Sequence, residues 1–216
     1  MMRFWLAALV MMPVASACAQ ALPPGFVPIS ALTAQVREDI RYAGSDNFIG
    51  RPVPGYSSAQ CWLRKDAAEA LAKAAGEAQG MGFTIVVYDC YRPQRATDAF
   101  MRWANDETDQ AMKARYYPRV EKRTLFNGGY ISGASAHSTG VAIDMGFLGV
   151  DFGTPYDMFD PRSSTYASGL SLVAAKNRKA LVGLMTRHGF ANYKREWWHY
   201  TFRGGGRAGA YDVEIR

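Results

Sequence analysis

His137, Asp144, Glu196 and His199 are the residues with which this chain could do chemistry. His137 and Asp144 lie in Ser135-Ala136-His137-Ser138-Thr139-Gly140-Val141-Ala142-Ile143-Asp144, and His199 closes Glu196-Trp197-Trp198-His199. Two of the chain's three histidines therefore sit near a carboxylate. Two imidazoles and one carboxylate make a three-ligand zinc site whose fourth position stays open to water. Glu196, the carboxylate left over, is then free to take a proton from that water. The combination is metal-assisted hydrolysis.

These residues meet only if the chain between them bends. Extended, the stretch from His137 to Asp144 would span roughly 20 Å or more. Ser138-Thr139-Gly140 supplies the turn that brings His137 back beside the following strand. Glu196 and His199 are an odd number of residues apart, which puts them on opposite faces of a regular strand. A bend at Trp197 is required, with Glu196 in the connecting loop and the two tryptophans packed around it. A single histidine beside an apolar strand is ordinarily a core residue; the joint pattern is what selects the metal reading.

Elements that could position these groups follow from composition. Residues 20–60 are rich in Pro, Gly and polar residues and read as loops around short extended pieces. An alanine-rich helix is predicted over 65–79, a buried β-branched strand over 83–88, and a helix over 94–105 introduced by Pro93. A second strand is predicted over 140–145, entered from a Gly/Ser-rich loop. Residues 149–170 read as a long irregular connection of the kind that closes over a site. A helix over 174–187 ends at Gly189 with His188 as a structural residue, and strands at 198–202 and 211–215 are joined by Gly204-Gly205-Gly206. The class is α+β, a small antiparallel sheet with packed helices.

The chain has 216 residues, 49% hydrophobic and 20% charged, which suits one globular domain with a substantial core. Its net charge of +6 is scattered rather than gathered into a run, so no nucleic-acid partner is predicted. Arg3, the apolar run Phe4–Met12 and Ala15-Ser16-Ala17 form an export signal, too short to span a bilayer as a helix. The division expected is an export signal over 1–19 and a catalytic domain over 20–216, placed periplasmic or otherwise outside the cytoplasm. Cys18 would suit lipidation after cleavage, but the residues before it lack the usual leucine, which favours ordinary cleavage. In an oxidising compartment Cys61 and Cys90 are expected to pair, the alternative being two buried thiols.

At this point the sequence resembles a known family. The pattern S-x-H-x-x-G-x-A-x-D followed by E-x-x-H is similar to that of the zinc D,D-peptidases, which share a fold with the hedgehog signalling domain. Within that group it is nearest to the D-alanyl-D-alanine dipeptidases. The likeness extends through Asp39-Ile40-Arg41-Tyr42-Ala43 with Asp46-Asn47-Phe48, Tyr88-Asp89-Cys90-Tyr91-Arg92-Pro93, Tyr156-Asp157-Met158-Phe159-Asp160 and Ala175-Lys176-Asn177-Arg178, in register from residue 35 to about 203. It implies one zinc ion on His137, Asp144 and His199, with Glu196 as base and Arg92 stabilising the transition state. It further implies Tyr42 and Asp157 as receptors of the substrate's ammonium, Ser135 as a substrate-binding hydroxyl, and free D-Ala-D-Ala as substrate. The export signal and the two cysteines depart from the resistance-associated members, which act in the cytoplasm.

Two rival functions remain at this stage. A D,D-carboxypeptidase would trim longer cell-wall peptides, but such substrates present no charge to Asp157. A silent zinc-containing binding module would have no use for both Glu196 and Arg92.

Overall fold

The computed structural model describes residues 22–206 and 209–216; the predicted export signal and Cys18 lie outside them. Regular strands are β1 (Phe26–Pro28), β2 (Val36–Glu38), β3 (Trp62–Arg64), β4 (Ile85–Asp89), β5 (Ala142–Phe147), β6 (Phe190–Asn192) and β7 (His199–Phe202). The helices are α1 (Lys65–Gly80), α2 (Gln94–Asn105), the short α3 (Lys113–Tyr116) and α4 (Leu172–Arg187). The α+β class and the predicted helices hold. Helix α4 starts two residues earlier than 174, because the Ser171 hydroxyl accepts from Ala174 N at 3.0 Å and caps it there.

A five-stranded sheet runs in the order β2-β4-β5-β7-β6, with β1 and β3 paired separately as an antiparallel ribbon. Pairs within the large sheet are antiparallel except β2 with β4, so one edge is parallel. Every residue of β5 is buried, as its apolar sequence requires of a central strand. On α1 the buried face is Ala67, Ala68, Leu71, Ala74, Ala75 and Ala78, a helical stripe of small side chains that lets the helix lie close to its neighbours. Among the described residues, no helix is long and apolar enough to cross a membrane.

The predicted strand at 211–215 is not part of the large sheet. Its expected place beside β7 is taken by β6, whose Phe190 packs on Phe202 with ring centroids 5.2 Å apart. A side chain at Gly205 would meet Val141 at 2.5 Å, so this glycine serves a close crossing over the sheet rather than a hairpin. Residues 209–216 return instead toward Tyr56, which makes an isolated parallel bridge with Ile215. Their alternating pattern serves anchoring: Ile215 is fully buried, while Tyr211 and Val213 pack against the core.

Cys61 and Cys90 are joined by a disulfide, with Cα atoms 5.2 Å apart. The bridge ties the residue before β3 to the residue after β4, the connection expected from the sequence.

Candidate active site

Strand register assembles the centre of the site. Asp89 of β4 stands opposite Asp144 of β5, and Asp144 opposite His199 of β7. Residues directly opposite in neighbouring strands point to the same face, so the three side chains form one row. His137 joins them from a 3₁₀ turn, Ala136–Thr139, immediately before β5. That turn starts at Ser135, whose hydroxyl accepts from His137 N, and ends at Gly140 with φ +77°. A Cβ at Gly140 would meet the Phe26 ring at 2.2 Å, so only glycine can make this reversal.

The resulting geometry suits a metal ion. His137 Nε2, His199 Nδ1 and Asp144 Oδ1 form a triangle with edges of 3.1, 3.0 and 3.2 Å. Ligands at about 2.0–2.1 Å around one tetrahedral ion would be roughly 3.3 Å apart. His137 Nδ1 lies 2.7 Å from the Cys90 carbonyl, an acceptor only, so Nδ1 carries the hydrogen and Nε2 offers a lone pair. Three such donor atoms facing one another are mutually repulsive until a cation, a metal ion or else a proton held by an imidazole, lies among them. Burial by itself would raise the Asp144 carboxyl, yet the imidazoles of His137 and His199 hold it below the usual carboxylate range.

Glu196 sits in the turn before β7, with Oε2 3.8 Å from His199 Nδ1. Its position is fixed from behind. Asn192 Nδ2 donates to the carbonyls of Glu196 and His199, both at 3.0 Å, and Trp197 N donates to Ser163 O at 3.0 Å. Trp197 stacks on Phe152 at 4.2 Å, so the tryptophans do pack the bend as expected. Burial pushes the Glu196 carboxyl up to about 7, against the opposing pull of His199. A carboxylate held in that range accepts and returns a proton near neutrality.

Arg92 enters just beyond β4 and is bound to Asp89: Nε and Nη2 reach Oδ2 at 2.9 and 2.7 Å. Its guanidinium lies over the Phe100 and Tyr42 rings, and Nη2 is 3.8 Å from Asp144 Oδ2. Burial would weaken the charged form of Arg92, but Asp89 and its neighbours keep it firmly protonated. Asp89 was not singled out by the sequence. It is completely buried, accepts from the Tyr56 hydroxyl at 2.6 Å, and lies 3.4 Å from His137 Nδ1. It thus orients both the arginine and a candidate metal ligand. An acidic residue three positions before an arginine at a strand end was the available signal.

The opposite wall comes from loops. Tyr42, in a 3₁₀ turn, donates to Asp157 Oδ2 at 2.7 Å. Asp157 lies in the irregular 149–170 connection, which does close over the site, and has φ +61°. That conformation is costly for a residue with a side chain and is sustained by the structure around it. Much of the support is Arg178, whose buried guanidinium donates to the carbonyls of Phe152, Arg162 and Ser164. Burial, reinforced by the nearby Asp144, raises the Asp157 carboxyl well above its ordinary value. A positive partner would relieve that cost.

All eight polar residues selected from the sequence, Ser135 included, line one cavity of about 230 Å³. This is smaller than the roughly 300–1,000 Å³ of a drug-sized site and suits a small molecule. Three of the eight, Asp144, Glu196 and Asp157, are carboxyl groups set against one guanidinium, Arg92, a balance that favours cations.

A family model described as D-ala-D-ala dipeptidase, peptidase family M15, matches residues 23–214. The chain belongs to the D-Ala-D-Ala dipeptidase family. A D-alanyl-D-alanine dipeptidase of Streptomyces coelicolor is 36% identical over 184 residues, covering 82% of this chain and 91% of that protein. One from Enterococcus faecium is 37% identical over 185 residues, covering 83% and 92%. Membership in the D-Ala-D-Ala dipeptidase family makes the chain a metallopeptidase, and its His137–Asp144–His199 cluster is the place where a metal fits.

Proposed function

We propose that this protein is a zinc dipeptidase that hydrolyses D-Ala-D-Ala to two molecules of D-alanine. The observation that supports this best is a single small cavity lined both by the His137–Asp144–His199 triangle and by the buried Asp157 carboxylate. His137 Nε2, Asp144 Oδ1 and His199 Nδ1 would hold one zinc ion. When bound there, zinc supplies Lewis acidity that polarises the scissile carbonyl and acidifies water.

The protein's own groups do the rest. Glu196 accepts the proton of the attacking water and returns it to the leaving amine. Arg92, fixed by Asp89, stabilises the negative charge that develops on the carbonyl oxygen. Asp157 and Tyr42 receive the substrate's ammonium, which sets the distance from the free amino end to the reacting bond. The Ser135 hydroxyl accepts from His137 N and keeps its proton for a substrate oxygen.

Export is part of the same proposal. A periplasmic enzyme meets dipeptide released by cell-wall turnover and not the cytoplasmic pool, so the role inferred is scavenging. Purified protein should contain one zinc per chain without added metal, and should release D-alanine from the free dipeptide far faster than from a pentapeptide ending in D-Ala-D-Ala. Faster trimming of the pentapeptide would replace this reading with a D,D-carboxypeptidase.

A further inference from the structure

The function argued above assigns no task to Tyr156, yet its hydroxyl occupies the junction between the two halves of the site. It lies 3.1 Å from Asp144 Oδ2 and 3.2 Å from the Tyr42 hydroxyl. Tyr42 in turn donates to Asp157 Oδ2. The phenol ring is buried, stacked on Tyr88 at 4.6 Å and edge-on to Trp198 at 5.5 Å, so it is locked between two aromatic neighbours.

The two oxygens of Asp144 are used differently. Oδ1 faces both imidazoles, whereas among the described residues the hydrogen bond to Oδ2 comes from Tyr156 alone. Holding Oδ2 sets the rotation of the carboxylate and thereby aims Oδ1 at the metal position. The geometry points to Tyr156 as a positioning residue that couples the amine receptor, Tyr42 and Asp157, to the metal-ligand carboxylate Asp144.

Proton counting shows how the coupling works. With Asp157 ionised, as an ammonium partner requires, Tyr42 and Tyr156 own two hydroxyl protons for the three short contacts of the chain Asp157–Tyr42–Tyr156–Asp144. The Tyr156 proton is therefore divided between Tyr42 and Asp144. An ammonium that enters beside Asp157 donates to the Tyr42 oxygen and replaces Tyr156 as its donor. The Tyr156 proton then belongs to Asp144, and the ligand carboxylate is held most firmly when a free amine is in place.

Tyr156→Phe removes the hydroxyl and keeps the ring. Without substrate, its zinc affinity, measured by competition with a chelator, should fall about 10–100-fold. With D-Ala-D-Ala and N-acetyl-D-Ala-D-Ala as paired substrates, the preference for the free amine in kcat/KM should narrow by about tenfold. In an Asp157→Asn background, the same substitution should cost the free dipeptide less than it costs the wild type. Zinc affinity unchanged by Tyr156→Phe would overturn the hold on Asp144. Reduced zinc affinity with an intact amine preference and additive substitutions would overturn the coupling. The inference rests on the dipeptidase reading for its substrate arm. Should the wild type leave D-Ala-D-Ala intact, that reading fails, while chelator competition still decides the role of Tyr156 at Asp144.

Discussion

Asp144 and His199 face each other across paired strands, whereas Tyr42 and Asp157 meet from two irregular segments 115 residues apart in the chain. The metal end inherits its geometry from sheet register, with a glycine turn bringing in the one ligand that is not on a strand. The receptor end has no ladder to rely on. It is held by a left-handed Asp157, a buried Arg178 and hydroxyl contacts between tyrosines. Groups that must stay within tenths of an ångström of an ion belong on rigid elements, while selectivity for one end of a substrate can be placed on connections.

The largest effects should come from the metal end. Glu196→Gln should lower kcat by about 10²–10⁴-fold and leave zinc bound, because the carboxylate handles protons and is not a ligand. Elemental analysis beside steady-state rates checks both halves, and loss of zinc would show that the ligand set is misassigned. Arg92→Ala should follow, with a loss of about 10²–10³-fold concentrated in kcat. If KM rose instead with kcat unchanged, Arg92 would belong to substrate binding and the contrast between the two ends would weaken.

The two ends were also unequally readable from the sequence. His137, Asp144, Glu196 and His199 occur in two short segments whose turns are encoded locally, by Ser138-Thr139-Gly140 and by the tryptophans after Glu196. Helices α1 and α2 were readable for the same reason, since alanine content and Pro93 act within a few residues. Asp89 orients His137 from a separate strand, Tyr156 holds Asp144 from a loop 12 residues further on, and spacing carries no trace of such contacts between separate segments. The 211–215 segment misled because alternation of Tyr211, Val213 and Ile215 describes burial of every second residue, which an anchored tail satisfies as well as a strand. Strand β2 went unread because three residues are too few to show a period.

A smaller effect concerns the staple behind the metal end. The Cys61–Cys90 bridge closes a loop with a sequence separation of 29, worth about 3–4 kcal/mol in the chain-entropy view. Cys90 also supplies the carbonyl that orients His137. Replacing both cysteines with serine should lower the unfolding free energy by that amount in a denaturant titration and weaken zinc retention. Zinc affinity equal to that of the wild type would confine the bridge to stability alone.

The receptor end offers the most direct test of the whole account. An ammonium left without its buried partner loses a charge-assisted hydrogen bond worth about 1.5–3 kcal/mol, or roughly 10–150-fold. The measurement is kcat/KM for D-Ala-D-Ala and for N-acetyl-D-Ala-D-Ala, in the wild type and in Asp157→Asn. A strong wild-type preference for the free dipeptide is expected, shrinking in Asp157→Asn through loss on the free substrate, with the zinc content unchanged. Equal rates on the two substrates in the wild type would contradict it, since Asp157 would then receive no ammonium and the enzyme would not be selecting a dipeptide.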